Sequence, residues 1–237
     1  MVVKPSMNRS ALFRRRECVS AFTLIELLTV IVIIAVLMGI FMPLASTIKA
    51  RADGAQCLSN LRQIGLAIGG YTADHDSTLP GPLEAGQLPT YSTADTASLA
   101  GFLAPYLGLP AATGAPQKAP VFICPAYAKG DPGLDQPVYA IQQITNSPAN
   151  QWPFGLPGGA SQPPLKLSAL TMINDATQNH ISAATIIALR DYASAQSRLV
   201  TTTVTFSTVT PVHRTFLNAL FFDWHVGPVN TATFQPQ

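Results

Sequence analysis

Residues 21–45 read AFTLIELLTVIVIIAVLMGIFMPLA, a predominantly apolar run with a single charged residue, Glu26. From Leu27 to Ala45 the chain has 19 residues without a charged side chain. At a helical rise of about 1.5 Å per residue they cover about 28 Å, which matches the hydrocarbon thickness of a bilayer. The stretch therefore predicts a membrane-spanning helix over residues 22–45.

The segment before this helix carries the positive charge of the chain. Residues 1–21 hold five basic residues and one acid, which gives +4, so the remaining chain carries −2 of the +2 total. Basic residues on one flank predict a cytoplasmic N-terminus and an extracytoplasmic remainder. Because the excess charge lies in a leader, the body has no basic surface for phosphates, and we expect no nucleic-acid partner.

An ordinary secretory signal peptide is the alternative interpretation. Its apolar region is typically about 7–15 residues long and ends at a small-residue cleavage site. Residues 43–47, PLAST, are similar to such a site, so the alternative stays open. The longer apolar run favours the membrane anchor.

One acid, Glu26, lies at the cytoplasmic edge of the apolar run. A carboxylate at the centre of a membrane helix costs about 2.5–3.5 kcal/mol on insertion scales, and less near its end. Residues 22–47 contain no Lys or Arg. Glu26 therefore predicts a functional group with a cationic partner from elsewhere, or an interfacial carboxylate that reaches the headgroup region without one.

Residues 16–28, RECVSAFTLIELL, resemble the leader and mature start of type IV prepilins and type II secretion pseudopilins. The resemblance implies that prepilin peptidase cuts between Ala21 and Phe22 and that Phe22 is N-methylated. It also implies that Glu26 pairs with the new amino group of a neighbouring subunit during filament growth. The family usually has glycine where this chain has Ala21, which predicts slower processing.

The apolar helix continues beyond the membrane in this interpretation. Pro43 falls where helices of the family often bend, and proline removes a helical hydrogen bond. Helical spacing of apolar residues predicts an amphipathic continuation over residues 46–72, with Gly69 and Gly70 as its stop signal. Residues 73–237 then form an extracytoplasmic domain.

That domain is expected to be rich in loops, since the chain has 20 Pro and 16 Gly. Residues 77–120 predict loops with one short helix near 97–107, and residues 145–166 predict a long exposed loop. Two apolar runs, 216–222 and 225–229, predict a C-terminal hairpin. The fold class is therefore α+β: a long N-terminal helix packed on a small antiparallel sheet with long loops.

Three cysteines are present, and Cys18 would leave with the leader. Cys57 and Cys124 can form one disulfide in an oxidising compartment, or remain two buried thiols. The absence of a C-x-x-C spacing disfavours a zinc site.

Residues 57–67, CLSNLRQIGLA, resemble a pseudopilin-like subgroup with an internal Cys-Pro and a C-terminal H-x9-D-G motif. Here Cys124 precedes a proline, and His213 is followed after nine residues by Asp223. The resemblance implies a Cys57–Cys124 bridge between helix and domain. The expected glycine is Trp224, which makes a type I′ hairpin turn less favourable.

His213, Asp223 and His225 also allow a metal interpretation, but histidines on a hairpin more often make structural hydrogen bonds. Calcium is a family possibility, although no EF-hand-like acidic loop is present. No G-x-S-x-G elbow and no phosphate-binding loop occur. The sequence thus predicts neither an enzyme nor a bound cofactor.

The resulting prediction is a structural subunit of a pilus-like or pseudopilus filament. It would be a single-pass protein of the inner membrane, with its domain in the periplasm or in an extracellular filament. Its expected partners are prepilin peptidase and other subunits. The alternative is a minor pilin-like adhesin or a secretion-substrate-binding protein; the presence of Glu26 favours the structural subunit.

Overall fold

The computed structural model is α+β and divides into two compact units, residues 1–47 and 48–237. It describes residues 23–128, 137–141, 151–158, 162–170, 182–191 and 216–230. The predicted leader 1–21 and the predicted processing site, Ala21 and Phe22, lie outside these ranges. The coarse prediction of an apolar N-terminal helix and a small antiparallel sheet is confirmed.

Helix α1 extends from Leu24 to Asp74, over 51 residues. Its segment Leu24–Phe41 has a mean hydropathy of 2.9 and is long and apolar enough to cross a membrane. All side chains of residues 23–41 are exposed, whereas the core helix of a soluble protein would be mostly buried. This segment therefore presents an apolar surface to its surroundings.

The helix includes Pro43, and the bend predicted there stays a prediction. It also continues past Gly69 and Gly70, so the predicted stop at these glycines is wrong. The helix ends only at Asp74, where Asp76 and Ser77 follow with positive φ angles of 52° and 58°.

Packing explains why the glycines do not end the helix. A Cβ atom at Gly65 would lie 2.8 Å from Leu220 Cδ1, and one at Gly70 would lie 3.0 Å from Tyr106 Cδ1. The missing side chains thus let the sheet and a loop approach α1 closely. Contacts of this kind outweigh the low helix propensity of glycine, about 1 kcal/mol relative to alanine.

The later part of α1 is amphipathic and covers the core of the second unit. Four of its side chains, spaced by three or four residues, have no exposed surface: Cys57, Leu61, Ile64 and Ile68. This spacing puts them on one helical face. Burial of that face holds the helix against the domain.

The main sheet has five antiparallel strands in the order β1-β4-β5-β6-β7. These strands are β1 Gly86–Gln87, β4 Tyr139–Ile141, β5 Ile187–Asp191, β6 Phe216–Phe221 and β7 Val226–Asn230. A separate ribbon pairs β2 Thr90–Tyr91 with β3 Gln117–Lys118. The short helical segments are α2 Leu99–Leu103, a 3₁₀ turn Pro120–Phe122, α3 Pro125–Ala128 and α4 Leu167–Leu170.

Two loop predictions have different outcomes. The short helix predicted near residues 97–107 is α2, which Ser98 caps by accepting a hydrogen bond from Gly101 N. The loop predicted as exposed at residues 145–166 is buried in its segment 152–155, where Trp152 is 8% exposed and Phe154 0%, whereas residues 158, 163 and 166 are exposed as predicted. Phe154 packs against Phe222 at 5.5 Å between ring centroids, and such apolar burial outweighs the Pro- and Gly-rich composition.

The predicted C-terminal hairpin is present. Strands β6 and β7 pair from Phe216↔Asn230 to Leu220↔Val226. Trp224, in the connecting turn, has a φ of 68°. The position where the resemblance expects glycine therefore has the left-handed backbone that favours glycine.

Candidate functional site

The first turn of α1 holds the acid that the sequence singled out. Glu26 Oε2 accepts a hydrogen bond from the backbone N of Thr23 at 2.8 Å and another from Thr23 Oγ1 at 2.7 Å. In return, Glu26 N donates to Thr23 Oγ1 at 3.3 Å. This reciprocal pair is a capping box, with Thr23 as the cap and Glu26 three residues later.

The capping box places the carboxylate at the positive end of the helix dipole. The first four backbone N–H groups of a helix lack helical partners, and Thr23 and Glu26 supply acceptors for two groups at this end. A negative charge there stabilises the helix start by about 0.3–1 kcal/mol at exposed positions. Glu26 is therefore partly satisfied within its own chain.

Thr23 is the residue that the sequence analysis missed. Its signal was available, because a Thr followed three residues later by Glu, just before an apolar run, is the sequence signature of a capping box. The two interpretations of Glu26, amine pairing and an unpartnered interfacial acid, both omitted this local partner.

Among the described residues, hydrogen-bond donors reach only one oxygen of the Glu26 carboxylate. Both hydrogen bonds end on Oε2, and none from the described residues reaches Oε1. One turn along, Thr29 Oγ1 donates to the carbonyl of Glu26 at 3.0 Å and so turns its hydroxyl back to its own helix. The geometry leaves Oε1 available to a cation from outside this helix.

A second feature joins α1 to the domain. Cys57 and Cys124 form a disulfide, with their Cα atoms 5.0 Å apart and a sequence separation of 67. Asn60, one turn along α1, donates from Nδ2 to the carbonyl of Ile123 at 2.8 Å, and Gln56 Nε2 donates to Asn60 Oδ1 at 2.9 Å. We call this disulfide with its amide pair the helix clasp.

Both cysteines of the helix clasp are buried, at 0% and 1% exposure. Of the two states open from sequence, disulfide or free thiols, the structure has the disulfide. Its burial means that a reductant in solution reaches the bond only when this part of the fold opens.

The C-terminal motif is described only in part, since His213 lies outside the described residues. Asp223 Oδ1 lies 2.5 Å from His225 Nδ1 and accepts from His225 N at 3.1 Å. Desolvation raises the pKa of Asp223, but the hydrogen bonds and charge of His225 lower it more, so the pKa lies below its usual value. Asp223 and His225 thus form a hydrogen-bonded pair with each other.

The described part of the chain has no candidate metal-binding site: no three His, Cys, Asp or Glu side chains lie together there in a group that could hold a metal ion. Asp223 and His225 are two such side chains, fewer than a closed metal site needs.

In comparisons with known proteins, no protein-family model, no curated protein and no solved structure matches this chain. Its function must therefore be inferred from its own residues. The N-terminal turn of α1 and the helix clasp are the features with the most specific chemistry.

Proposed function

We propose that this chain is a structural subunit of a filament of the type IV pilus or type II secretion pseudopilus kind. The observation that carries the proposal is an exposed apolar helix, Leu24–Phe41, with a carboxylate, Glu26, in its first turn. Such a helix is an anchor in a bilayer, and it can also be packed among copies of itself. Glu26, the one acid in this segment, gives packing among copies a defined register.

The apolar surface requires a partner that is not water. Ordinary soluble monomers expose contiguous apolar patches of at most about 300–600 Å². The apolar patch formed by the side chains from Leu24 to Phe41 is far larger, since each large aliphatic side chain among them is 45–84% exposed. Lipid covers them in the precursor, and the helices of other subunits replace the lipid in a filament.

Cleavage between Ala21 and Phe22 supplies the cation that Glu26 lacks. The new α-amino group has a reference pKa of about 7.7–8 and is therefore mostly protonated at neutral pH. The open Oε1 of Glu26 accepts from the amino group of a neighbouring subunit, while Oε2 keeps its bonds to Thr23. An ammonium group left unpaired in a low-dielectric interior is strongly unfavourable, so this pairing selects the register of assembly.

The helix clasp supports the orientation of the chain. Stable disulfides form in oxidising compartments and are rare in the cytosol. The basic residues before the apolar helix favour a cytoplasmic N-terminus. Both features favour a single-pass protein of the inner membrane, with a cytoplasmic N-terminus and a domain in the periplasm or the filament.

The proposal is tested by replacing the carboxylate with its neutral isostere. Glu26→Gln keeps an oxygen that accepts from Thr23 but removes the charge that pairs with the amine. We expect normal membrane insertion and cleavage, and incorporation into filaments lower by about tenfold or more because the ammonium group is left unpaired. The measurement is the amount of subunit in sheared filaments relative to the membrane fraction.

The matched control is Glu84→Gln, which neutralises an exposed acid in the second unit and should assemble normally. Assembly of Glu26→Gln at the level of this control would rule out the pairing. Loss of cleavage or insertion in Glu26→Gln would instead show that the acid acts before assembly.

A further inference from the structure

The turn between β6 and β7 contains a strained residue. Trp224 has a φ of 68°, in the left-handed region that residues with a Cβ atom rarely adopt. Such conformations persist only where the surrounding structure holds them. A glycine at this position would make the same turn without strain, so the tryptophan must contribute something that glycine cannot.

The residues on either side of Trp224 are bound to each other across it. His225 is held to Asp223 through its ring and its backbone N, at 2.5 and 3.1 Å. Its ring stacks on Phe221 with 4.2 Å between centroids and 6° between planes. Trp224 N donates to Phe221 O at 2.9 Å, and Phe221 N donates to His225 O at 3.0 Å. These contacts fix the turn tightly around Trp224.

The indole of Trp224 lies on α1. Trp224 Nε1 is 3.7 Å from where a Cβ atom of Gly69 would stand. One turn earlier, the corresponding position at Gly65 is 2.8 Å from Leu220 Cδ1. Two glycines spaced by four residues lie on one helical face and leave a shallow notch there. Leu220 and Trp224 of the hairpin occupy this glycine notch.

We propose that the turn Asp223–Trp224–His225 is a latch that holds the C-terminal hairpin to α1, with Asp223 and His225 as positioning residues for Trp224. The pair holds the left-handed backbone, and that backbone directs the indole to Gly69. Trp224 also contacts Phe222 edge-on, at 6.4 Å between centroids. The hairpin tip is therefore joined to the helix by a contact that a glycine turn would lack.

A double-mutant comparison tests whether the pair acts through Trp224. In the full chain in detergent micelles, Asp223→Ala should speed hydrogen exchange of the Phe221 amide by about two- to fivefold. The same substitution in a Trp224→Gly background should change the exchange little, because glycine needs no support in this conformation. Equal acceleration in both backgrounds would overturn the positioning role, since the pair would then stabilise the turn regardless of Trp224.

The position of the indole has its own test. The chain has two tryptophans, so ¹⁵N-tryptophan labelling gives two indole signals, and Trp152→Phe assigns them. Gly69→Ala places a methyl group at ordinary contact distance from Trp224 Nε1 and should shift only the Trp224 signal. The control is Gly39→Ala, whose Cβ position has nothing within 4 Å. An unshifted Trp224 signal in Gly69→Ala would overturn the latch.

The two tests combine in one further variant. Asp223→Ala should reduce the effect of Gly69→Ala on the Trp224 signal, because the unsupported indole spends less time at the glycine notch. An unreduced effect would show that the indole is held without the Asp223–His225 pair and would overturn that pair's role.

Discussion

At the scale of single residues, Thr23 and Glu26 give α1 a defined start. The hydroxyl of Thr23 both donates to Glu26 Oε2 and accepts from Glu26 N. One carboxylate oxygen is thereby fixed, which orients the other. Thr23 is therefore a positioning residue for the carboxylate that we propose to bind the neighbouring amine.

This role predicts a graded effect of substitutions at Thr23. Thr23→Val keeps the shape and removes the hydroxyl, and loss of a cap typically costs about 0.5–2 kcal/mol. We expect faster amide exchange in the first turn of α1 in micelles and reduced filament incorporation. Thr23→Ser keeps the hydroxyl and should behave as the wild type. If Thr23→Val and Thr23→Ser gave equal exchange and equal incorporation, the Thr23 hydroxyl would have no role in positioning Glu26.

A second residue-scale prediction concerns the end of α1. The Lys166 ammonium group binds the Asp76 carboxylate, and this hydrogen bond and charge hold the pKa of Asp76 below its usual value. A depressed acid pKa contributes stability above the unfolded-state value, and this contribution is lost as pH falls through the folded-state pKa. NMR titration should show a lowered pKa for Asp76 that returns to its ordinary range in Lys166→Gln. An unchanged titration in this variant would contradict the ion pair.

At the scale of elements, the contact between α1 and the sheet depends on Gly65. Alanine normally favours a helix over glycine, yet a Cβ here would lie 2.8 Å from Leu220 Cδ1. Leu220 is fully buried, so its methyl group can move aside only by displacing its neighbours, and overpacking in a core typically costs about 1–3 kcal/mol. We expect Gly65→Ala to lower the free energy of unfolding in chemical denaturation. Adding Leu220→Ala should make the alanine at 65 less unfavourable, and a fully additive double variant would contradict the contact.

Sequence patterns predicted the elements whose signals are local. The apolar run and the helical spacing predicted α1, and the two apolar runs on either side of Asp223 predicted the hairpin. The end of the helix was misplaced at Gly69 and Gly70 because residues distant in sequence, Trp224 in the turn after β6 and Tyr106 in a loop, pack close to these glycines. The burial of Phe154 was missed for the same reason, since its partner Phe222 is far away in sequence.

The site was predictable to a similar degree. Glu26 stood out because an acid in an apolar run is costly, and Thr23 could have been found by its spacing. The cysteine pairing rested on a resemblance. Asn60 has no signal in the sequence, because its role depends on a carbonyl 63 residues away.

At the scale of the whole molecule, the helix clasp makes folding depend on the redox environment. Loss of a native disulfide in a small exported domain typically costs about 2–5 kcal/mol. The double variant Cys57→Ala/Cys124→Ala should therefore have a lower melting temperature than the wild type in micelles. A reductant should also lower the melting temperature of the wild type, but it reduces the buried bond only in molecules in which this part of the fold has opened. The control is Cys18→Ala, which lies in the predicted leader. Equal melting of all three proteins would contradict a stabilising clasp.

Mass spectrometry of the mature N-terminus, on protein purified from the membrane of a host with prepilin peptidase, distinguishes a filament subunit of the prepilin type from an ordinary secreted protein. We expect a chain that begins at N-methylated Phe22, with Ala21 as the last residue removed. A chain that begins near Ser46 would indicate ordinary secretion. Either that start or an intact leader would contradict the proposal that this protein is a filament subunit of the prepilin type.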